Sequence, residues 1–467
     1  MEPFEFDEEQ NEHINDIVEQ YENSVRNNHA LFLDAESFEI LADFYEFRGD
    51  LSIAQSIIHQ ALEQHPFSSI LLIKKAQLQF EAKDCEKALK TLEKAEIIDG
   101  SEAGIYLLKA EILTFLSKYE EAVQILEDRI SVTDNEELAD IHLQMADVYE
   151  DWEKYEEVFQ CLKKCLWVEP DNEEALNRIN YCMEITEEYE RSKKFHEELI
   201  NEHPYTVFAW YNLSCAFKGM NKIDEAIDAL EYTLAIDDTL DFAYQDIIEL
   251  HIINKNYKKA LEVIKDFEAK FDADEDIFLL KGQCHEFLLE FKLSRYYYKR
   301  ALHSNPNIPE AYFRIGETYK AEDNWEQAYK FFIKAAELDK HDYDYQIVAA
   351  EAAQITKEVE KAIEITENAI DLSISRFEAY ILMAQIFLNA GDADTALEII
   401  EKGIQFCKAN EELKFAKIAI IYFMGQKQEA LIQLMLMMSE APGKEIFMLY
   451  MYPDMENDPD VSMILST

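Results

Sequence analysis

The sequence predicts an all-α solenoid, and three observations carry that expectation. From Leu41 to Pro442 one pattern returns every 34 residues, twelve times over. Two positions of the pattern are held by small residues in nearly every copy. Only 10 glycines and 9 prolines are spread through 467 residues, of which 48% are hydrophobic. Strands would need turn residues far more often than this.

In order along the chain, the copies begin at Ala35, Ser69, Ala103, Ala139, Glu173, Val207, Asp241, Glu275, Pro309, Tyr343, Phe377 and Glu411. Every step is 34 residues except the third, which is 36. The eighth position reads Ala42, Ala76, Ala110, Ala146, Asn180, Ser214, Ile248, Gly282, Gly316, Ala350, Ala384 and Ile418. The twentieth reads Ala54, Ala88, Ala122, Val158, Ser192, Ala226, Ala260, Ser294, Ala328, Ala362, Ala396 and Ala430. Two closely crossing helices need small residues in register, since a larger side chain pushes their axes apart. Pro66, Pro170, Pro204, Pro306 and Pro442 close five copies at position 32. A proline there stops the second helix, because it lacks an amide proton and clashes with the preceding turn. The fifth copy is the weakest, with Asn180 and His196 at core positions, and a local distortion is expected in it. No Gly/Ser/Pro-rich linker interrupts the register. One elongated domain of 24 repeat helices is therefore expected over 35–443.

The period and the pattern resemble the tetratricopeptide repeat, a helix–turn–helix unit. The sixth copy carries Trp210, Leu213, Phe217, Ala226 and Leu230 in the places of that motif. The ninth carries Tyr312, Ile315, Gly316, Tyr319, Ala328, Phe332 and Ala335. The resemblance implies a right-handed superhelical solenoid that binds other proteins. It also implies that the first helix of each repeat lines the inner wall, with positions 2, 5, 6, 9, 12 and 13 facing inward. Carried onto this chain, those positions supply Glu36, Glu39, Asp43, Glu46, Asp140, Asp147, Glu150 and Asp151. Ile70, Ile73, Phe80, Leu107, Leu108, Phe115, Tyr181, Phe208 and Tyr211 interleave with them. Carboxylates beside aromatics suit an extended segment bearing Lys or Arg, through charge pairing and cation–π contact. The alternative is that some of these aromatics fill the core between repeats. Glu36, Asp43, Asp147 and Asp151 represent the acidic groove.

Chaperone-binding relatives hold a C-terminal carboxylate with Lys, Arg and Asn on adjacent first helices. Here Asn177, Arg178, Asn212 and Arg314 occur, but the flanking lysines do not, so that clamp is not expected. Asn177, Arg178, Tyr181, Tyr211, Asn212, Asp246 and Arg314 are the expected central contact patch.

Charge narrows the partners. There are 44 Lys+Arg against 96 Asp+Glu, a formal charge of −52. Such a polyanion is repelled by phosphate backbones and anionic membrane surfaces, so neither nucleic acid nor membrane is an expected ligand. Cationic protein segments are attracted instead and arrive faster. The plainer reading is that the acids keep a long, aromatic-rich chain soluble.

The two ends differ from the repeats. Residues 1–34 read as an acidic arm and capping helix, with Ile14, Ile17, Val18, Tyr21 and Val25 on one face. The first fifty residues hold 15 acidic and 2 basic side chains. This stretch lacks the pattern of a secretory signal. Residues 444–467 read as a Met-rich capping helix and tail, since eight of the 13 methionines lie between Met424 and Met463. Methionine clusters also occur on faces that accept varied partners, so docking is the alternative to capping. No apolar run approaches the ~18 residues of a membrane span.

Seven scattered cysteines, Cys85, Cys161, Cys165, Cys182, Cys215, Cys284 and Cys407, suggest free thiols in a reducing cytoplasm. Cys161 and Cys165 lie one helical turn apart, but paired metal motifs are absent, so no metal is expected. No Gly-rich phosphate loop is present, and no cofactor or enzymatic activity is expected. The expected role is a cytoplasmic adaptor binding basic, extended protein segments. The alternative is a structural subunit docking through its Met-rich end.

Overall fold

The computed structural model describes residues 8–27, 31–132, 137–407 and 411–465, with side chains described from residue 14 onward. Residues 1–7, which head the expected acidic arm, lie outside it. Among the described residues every regular element is helical. The chain divides into two compact units, Met1–Asp238 and Thr239–Thr467. Repeats 1–6 fall in the first and repeats 7–12 in the second.

In the first unit the first helices are Ala35–Phe47, Ser69–Glu81, Ala103–Phe115, Leu138–Asp151, Glu173–Thr186 and Val207–Gly219. Five start on the first residue of the sequence period, and the fourth starts one residue early. The second helices begin at Leu51, Cys85, Tyr119, Tyr155, Tyr189 and Ile223, each the seventeenth residue of its repeat. In the second unit the first helices are Asp241–Ile253, Glu275–Phe287, Pro309–Ala321, Tyr343–Ile355, Phe377–Asn389 and Glu411–Phe423. Their partners begin at Tyr257, Phe291, Trp325, Val359, Ala393 and Lys427, again position 17. The longer third step falls in the connection after Ile130, part of which (133–136) lies outside the described residues.

What stops each first helix is a left-handed residue at position 15. Gly49, Lys83, Ser117, Glu153, Glu187 and Asn221 hold it in the first unit. Lys255, Leu289, Asp323, Lys357, Gly391 and Gly425 hold it in the second. In repeat 1 the Gly49 amide donates to the Glu46 carbonyl and the Asp50 amide to the Tyr45 carbonyl, both at 2.8 Å. This is a Schellman ending, whose reversed backbone turns the chain into the next helix.

The small positions do what the sequence demands. Ala42, Ala76, Ala110 and Ala146 are fully buried at position 8, and every position-20 residue is buried. Where position 8 is glycine, its partner is large. A Cβ on Gly282 would stand 2.6 Å from the Tyr298 ring, and one on Gly316 would stand 2.5 Å from the Phe332 ring. The fifth repeat keeps both helices. Its departure is chemical: His196 is wholly buried, with Nδ1 2.9 Å from the Ser192 carbonyl. Its first helix runs to Thr186, directly against the left-handed Glu187.

The helix Glu8–Asn27 lies against repeat 1, with Ile17 buried and the Tyr21 ring edge-on to Tyr45 at 5.7 Å. After Pro442 come a short helix, Ile446–Met451, a 3-10 turn, Pro453–Asn457, and a last helix, Pro459–Leu465.

Candidate protein-binding site

The candidate face in the first unit is formed by the first helices of repeats 1–5. Two cations organise it, both at position 6. Lys74 is buried and pairs with Asp43 and Glu46, positions 9 and 12 of the preceding repeat. Arg178 does the same one set of repeats later, reaching Asp147 and Glu150 at 2.7 Å, and Glu174 at 3.0 Å. Each cation faces more than one carboxylate, so both clusters stay anionic.

The crowding shows in the carboxyl pKa values. Loss of solvation first, and hydrogen bonding to the Glu46 carboxylate second, raise Glu81 from 4.5 to about 7. Burial and then Asp43 push Glu39 up. Loss of solvation and then Asp147 push Glu111 up. Asp147 is raised by its own desolvation despite the Arg178 guanidinium.

Apolar side chains stand exposed between these acids. Phe115 is 58% exposed, with its ring edge-on to Phe80 at 5.4 Å, and Ile70 is exposed at the other end of the first helix of repeat 2. Phe47, Phe115 and Ile185 share position 13, at the ends of the first helices of repeats 1, 3 and 5, and all three are exposed. Between them the same position holds Glu81 and Asp151, also exposed.

The expected contact patch divides between the units. Asn177 and Tyr181 are exposed on repeat 5. Arg178 is committed to its three carboxylates. Tyr211 is half-buried. Asn212 is buried in the repeat core, its amide donating to the Leu176 carbonyl at 2.8 Å and lying 3.4 Å from His196 Nε2. In the second unit Asp246 is half-buried, and Arg314 approaches Glu310 at 3.4 Å and Glu286 at 3.9 Å. Of the acidic set, Glu36 and Asp151 are exposed, whereas Asp43 and Asp147 are engaged by Lys74 and Arg178. Sequence reasoning passed over Lys74, Glu81 and Glu111. The signal was available: Lys74, Arg178 and Arg314 all occupy position 6 of the period.

All seven cysteines are free, and Cys161, Cys165 and Cys182 are buried. Burial pushes these thiols up to about 11, 12 and 11, so the thiolate form is scarce at neutral pH. Among the described residues no His, Cys, Asp and Glu side chains group as a metal site. Among them, too, no helix is long and apolar enough to cross a membrane.

Paired helices stacked in register with an open side-chain face are the build of a protein-interaction scaffold. Comparison with known proteins places it further. A family model for the tetratricopeptide repeat matches residues 139–172, 209–237 and 309–342. A model for anaphase-promoting complex, cyclosome, subunit 3 matches residues 41–129. The TPR repeat-containing protein YpiA of Bacillus subtilis (strain 168) is 23% identical over 390 residues, covering 82% of this chain and 90% of that one. BBSome complex member BBS4 of Bos taurus is 26% identical over 193 residues, 39% of this chain and 36% of that relative. The solved structure of YrrB, described as a TPR protein with an unusual peptide-binding site, shares 23% identity at a TM-score of 0.32. It matches over 39% of this chain and 95% of its own. With its twelve helix pairs and the repeat-model matches, the chain belongs to the tetratricopeptide-repeat proteins.

Proposed function

We propose that the protein is a cytoplasmic adaptor whose first-helix face in repeats 1–5 captures basic, extended segments of partner proteins. One observation carries this reading: exposed acids and exposed apolar groups alternate at position 13, as Phe47, Glu81, Phe115, Asp151 and Ile185. A segment that alternates Lys or Arg with apolar residues meets both kinds of contact along such a row. Asn177 and Tyr181 extend the row into the expected contact patch. Arg178 and Lys74 hold the acids in place from within, and Arg314 has the same task in the second unit. The organisation that goes with this reading is 1–34 as arm and cap, 35–443 as repeats and 444–467 as the closing segment. No chemistry beyond binding is needed for it.

A pull-down from cytoplasm, washed at low and then high salt, tests the proposal. Discrete partners with basic exposed segments, released by salt, are expected. A complex that resists salt would favour the second reading, an assembly subunit docked through its Met-rich end. That reading has its own observation: Ile432, Met435 and Leu436 are all more than half exposed on the second helix of repeat 12.

A further inference from the structure

In repeats 11 and 12 the inward positions change character. Positions 5, 6, 9 and 12 are Ile381, Leu382, Gln385 and Leu388 in one, and Phe415, Ala416, Ala419 and Tyr422 in the other. Seven of these eight are not charged or amide side chains, and Ile381, Leu382, Leu388, Phe415, Ala416 and Ala419 are buried. Leu382 packs into the core of repeat 10, while the other five share one core cluster with Met448 and Met451 from the chain's own end. The short helix Ile446–Met451 packs along the first helix of repeat 12 and reaches back to repeat 11. The Gln385 amide donates to the Tyr450 carbonyl at 3.0 Å, and the Phe447 ring meets Phe377 edge-on at 5.6 Å. Met448 and Met451 are buried. The Lys444 ammonium pairs with Glu412 at 2.6 Å and Glu411 at 3.2 Å. Beyond the helix, Tyr452 packs against Phe423 at 5.3 Å.

A simple end cap would instead lie on the second helix of repeat 12. That place is taken by the last helix, Pro459–Leu465, with Val461 and Ile464 buried and Lys427 bound to Asp458 and Asp460 at 2.6 and 2.8 Å. Capping and groove-filling are thus done by different segments. A helix of six residues has no stability of its own in water, so the groove is what holds Ile446–Met451 helical. Phe447, Met448 and Met451 anchor the helix itself, and Lys444 anchors the chain just before it.

We propose that the first-helix face of repeats 11 and 12 is a second protein-binding site, held in cis by Lys444–Tyr452. It accepts in trans a short partner helix with the same order of groups: a lysine, then Phe and Met at the following anchor positions. The tethered segment competes at the millimolar effective concentration of a short linker, so the site opens only to a matching ligand or when the tether weakens. Nothing in this depends on the acidic row of repeats 1–5.

The test uses the full chain and a labelled peptide of residues 443–452, whose single Lys and single Glu cancel. Phe447→Ala with Met451→Ala weakens the tethered copy, and this variant is expected to bind the peptide at least tenfold more tightly than the native chain. Adding Glu412→Lys should abolish that gain, while Asp151→Asn should leave it intact. A folded double variant that binds the peptide no better than the native chain would overturn the proposal. Should the double variant not fold, hydrogen exchange on the native chain decides. The amides of Ile446–Met451 are expected to open at least tenfold more readily than those of Phe415–Ile421. Joint opening of the two segments would show a fixed part of the repeat and sink the idea.

Discussion

His196 and Glu81 show how one side chain ties the state of a repeat to pH. Full burial lowers His196 from 6.5 to about 4, so the folded chain holds the ring neutral where the unfolded chain protonates it. Stability is therefore whole above pH 6.5 and is lost as pH falls toward 4, by up to about 3 kcal/mol for a shift of this size. Urea titrations at pH 7 and at pH 4.5 should show the loss, and His196→Leu should shrink it; an equal loss in that variant would contradict the assignment. Glu81 works in the opposite direction. Its folded pKa of about 7 lies above the usual 4.5, so its contribution is present below pH 4.5 and is lost as pH rises through 7. Glu81→Gln should flatten that part of the stability profile. The same ionisation strengthens the acidic face, so capture of a basic peptide should rise from pH 6 to pH 8 while repeats 1 and 2 lose stability. Parallel changes in binding and stability would argue against the carboxyl pair as their source. None of this was visible in sequence, which marks His196 as an irregular core residue but does not show that Ser192 and Asn212 enclose it.

At the scale of the helix, the period alone predicts nearly every first-helix start, because small residues at positions 8 and 20 must recur wherever two helices cross closely. The left-handed residue at position 15 was not legible in the same way, since Lys, Ser, Glu, Asn, Leu and Asp hold it in nine of the twelve repeats and glycine in only three. A branched side chain there costs about 1–2 kcal/mol against glycine in the same conformation. Leu289→Gly is therefore expected to stabilise the second unit by about 1 kcal/mol once the looser unfolded chain is counted, raising its melting temperature. A lower melting temperature would mean that Leu289 makes a contact worth more than the strain. Gly282→Ala should do the reverse, since the new methyl must displace the Tyr298 ring, at a cost of about 1–3 kcal/mol. The helix Ile446–Met451 is expected from the sequence as a cap, but its place against the first helices of repeats 11 and 12 was not legible. It carries no period, and only its tertiary placement distinguishes a segment lying in a groove from one closing an end.

For the molecule as a whole, composition spoke clearly about sign and poorly about location. A formal charge of −52 predicts attraction of cationic segments wherever the acids lie. The structure shows that part of the acid set is spent internally: Asp43 on Lys74, and Asp147 on Arg178. Glu36, Glu111 and Asp151 stay exposed. Register finds such positions but not their partners, because the pairing cation sits on the next repeat and must first be folded against it. The measurement that tests the account most directly is the association rate of a Lys/Arg-rich peptide, followed from about 0.02 M to about 0.3 M salt, where the screening length falls several-fold. The native chain should associate at least tenfold more slowly at the high end. Glu36→Gln, Glu111→Gln and Asp151→Asn together should slow association at low salt and reduce that dependence without changing the fold. A rate that ignores both salt and the three substitutions would contradict the account and leave the acids as a solubilising surface.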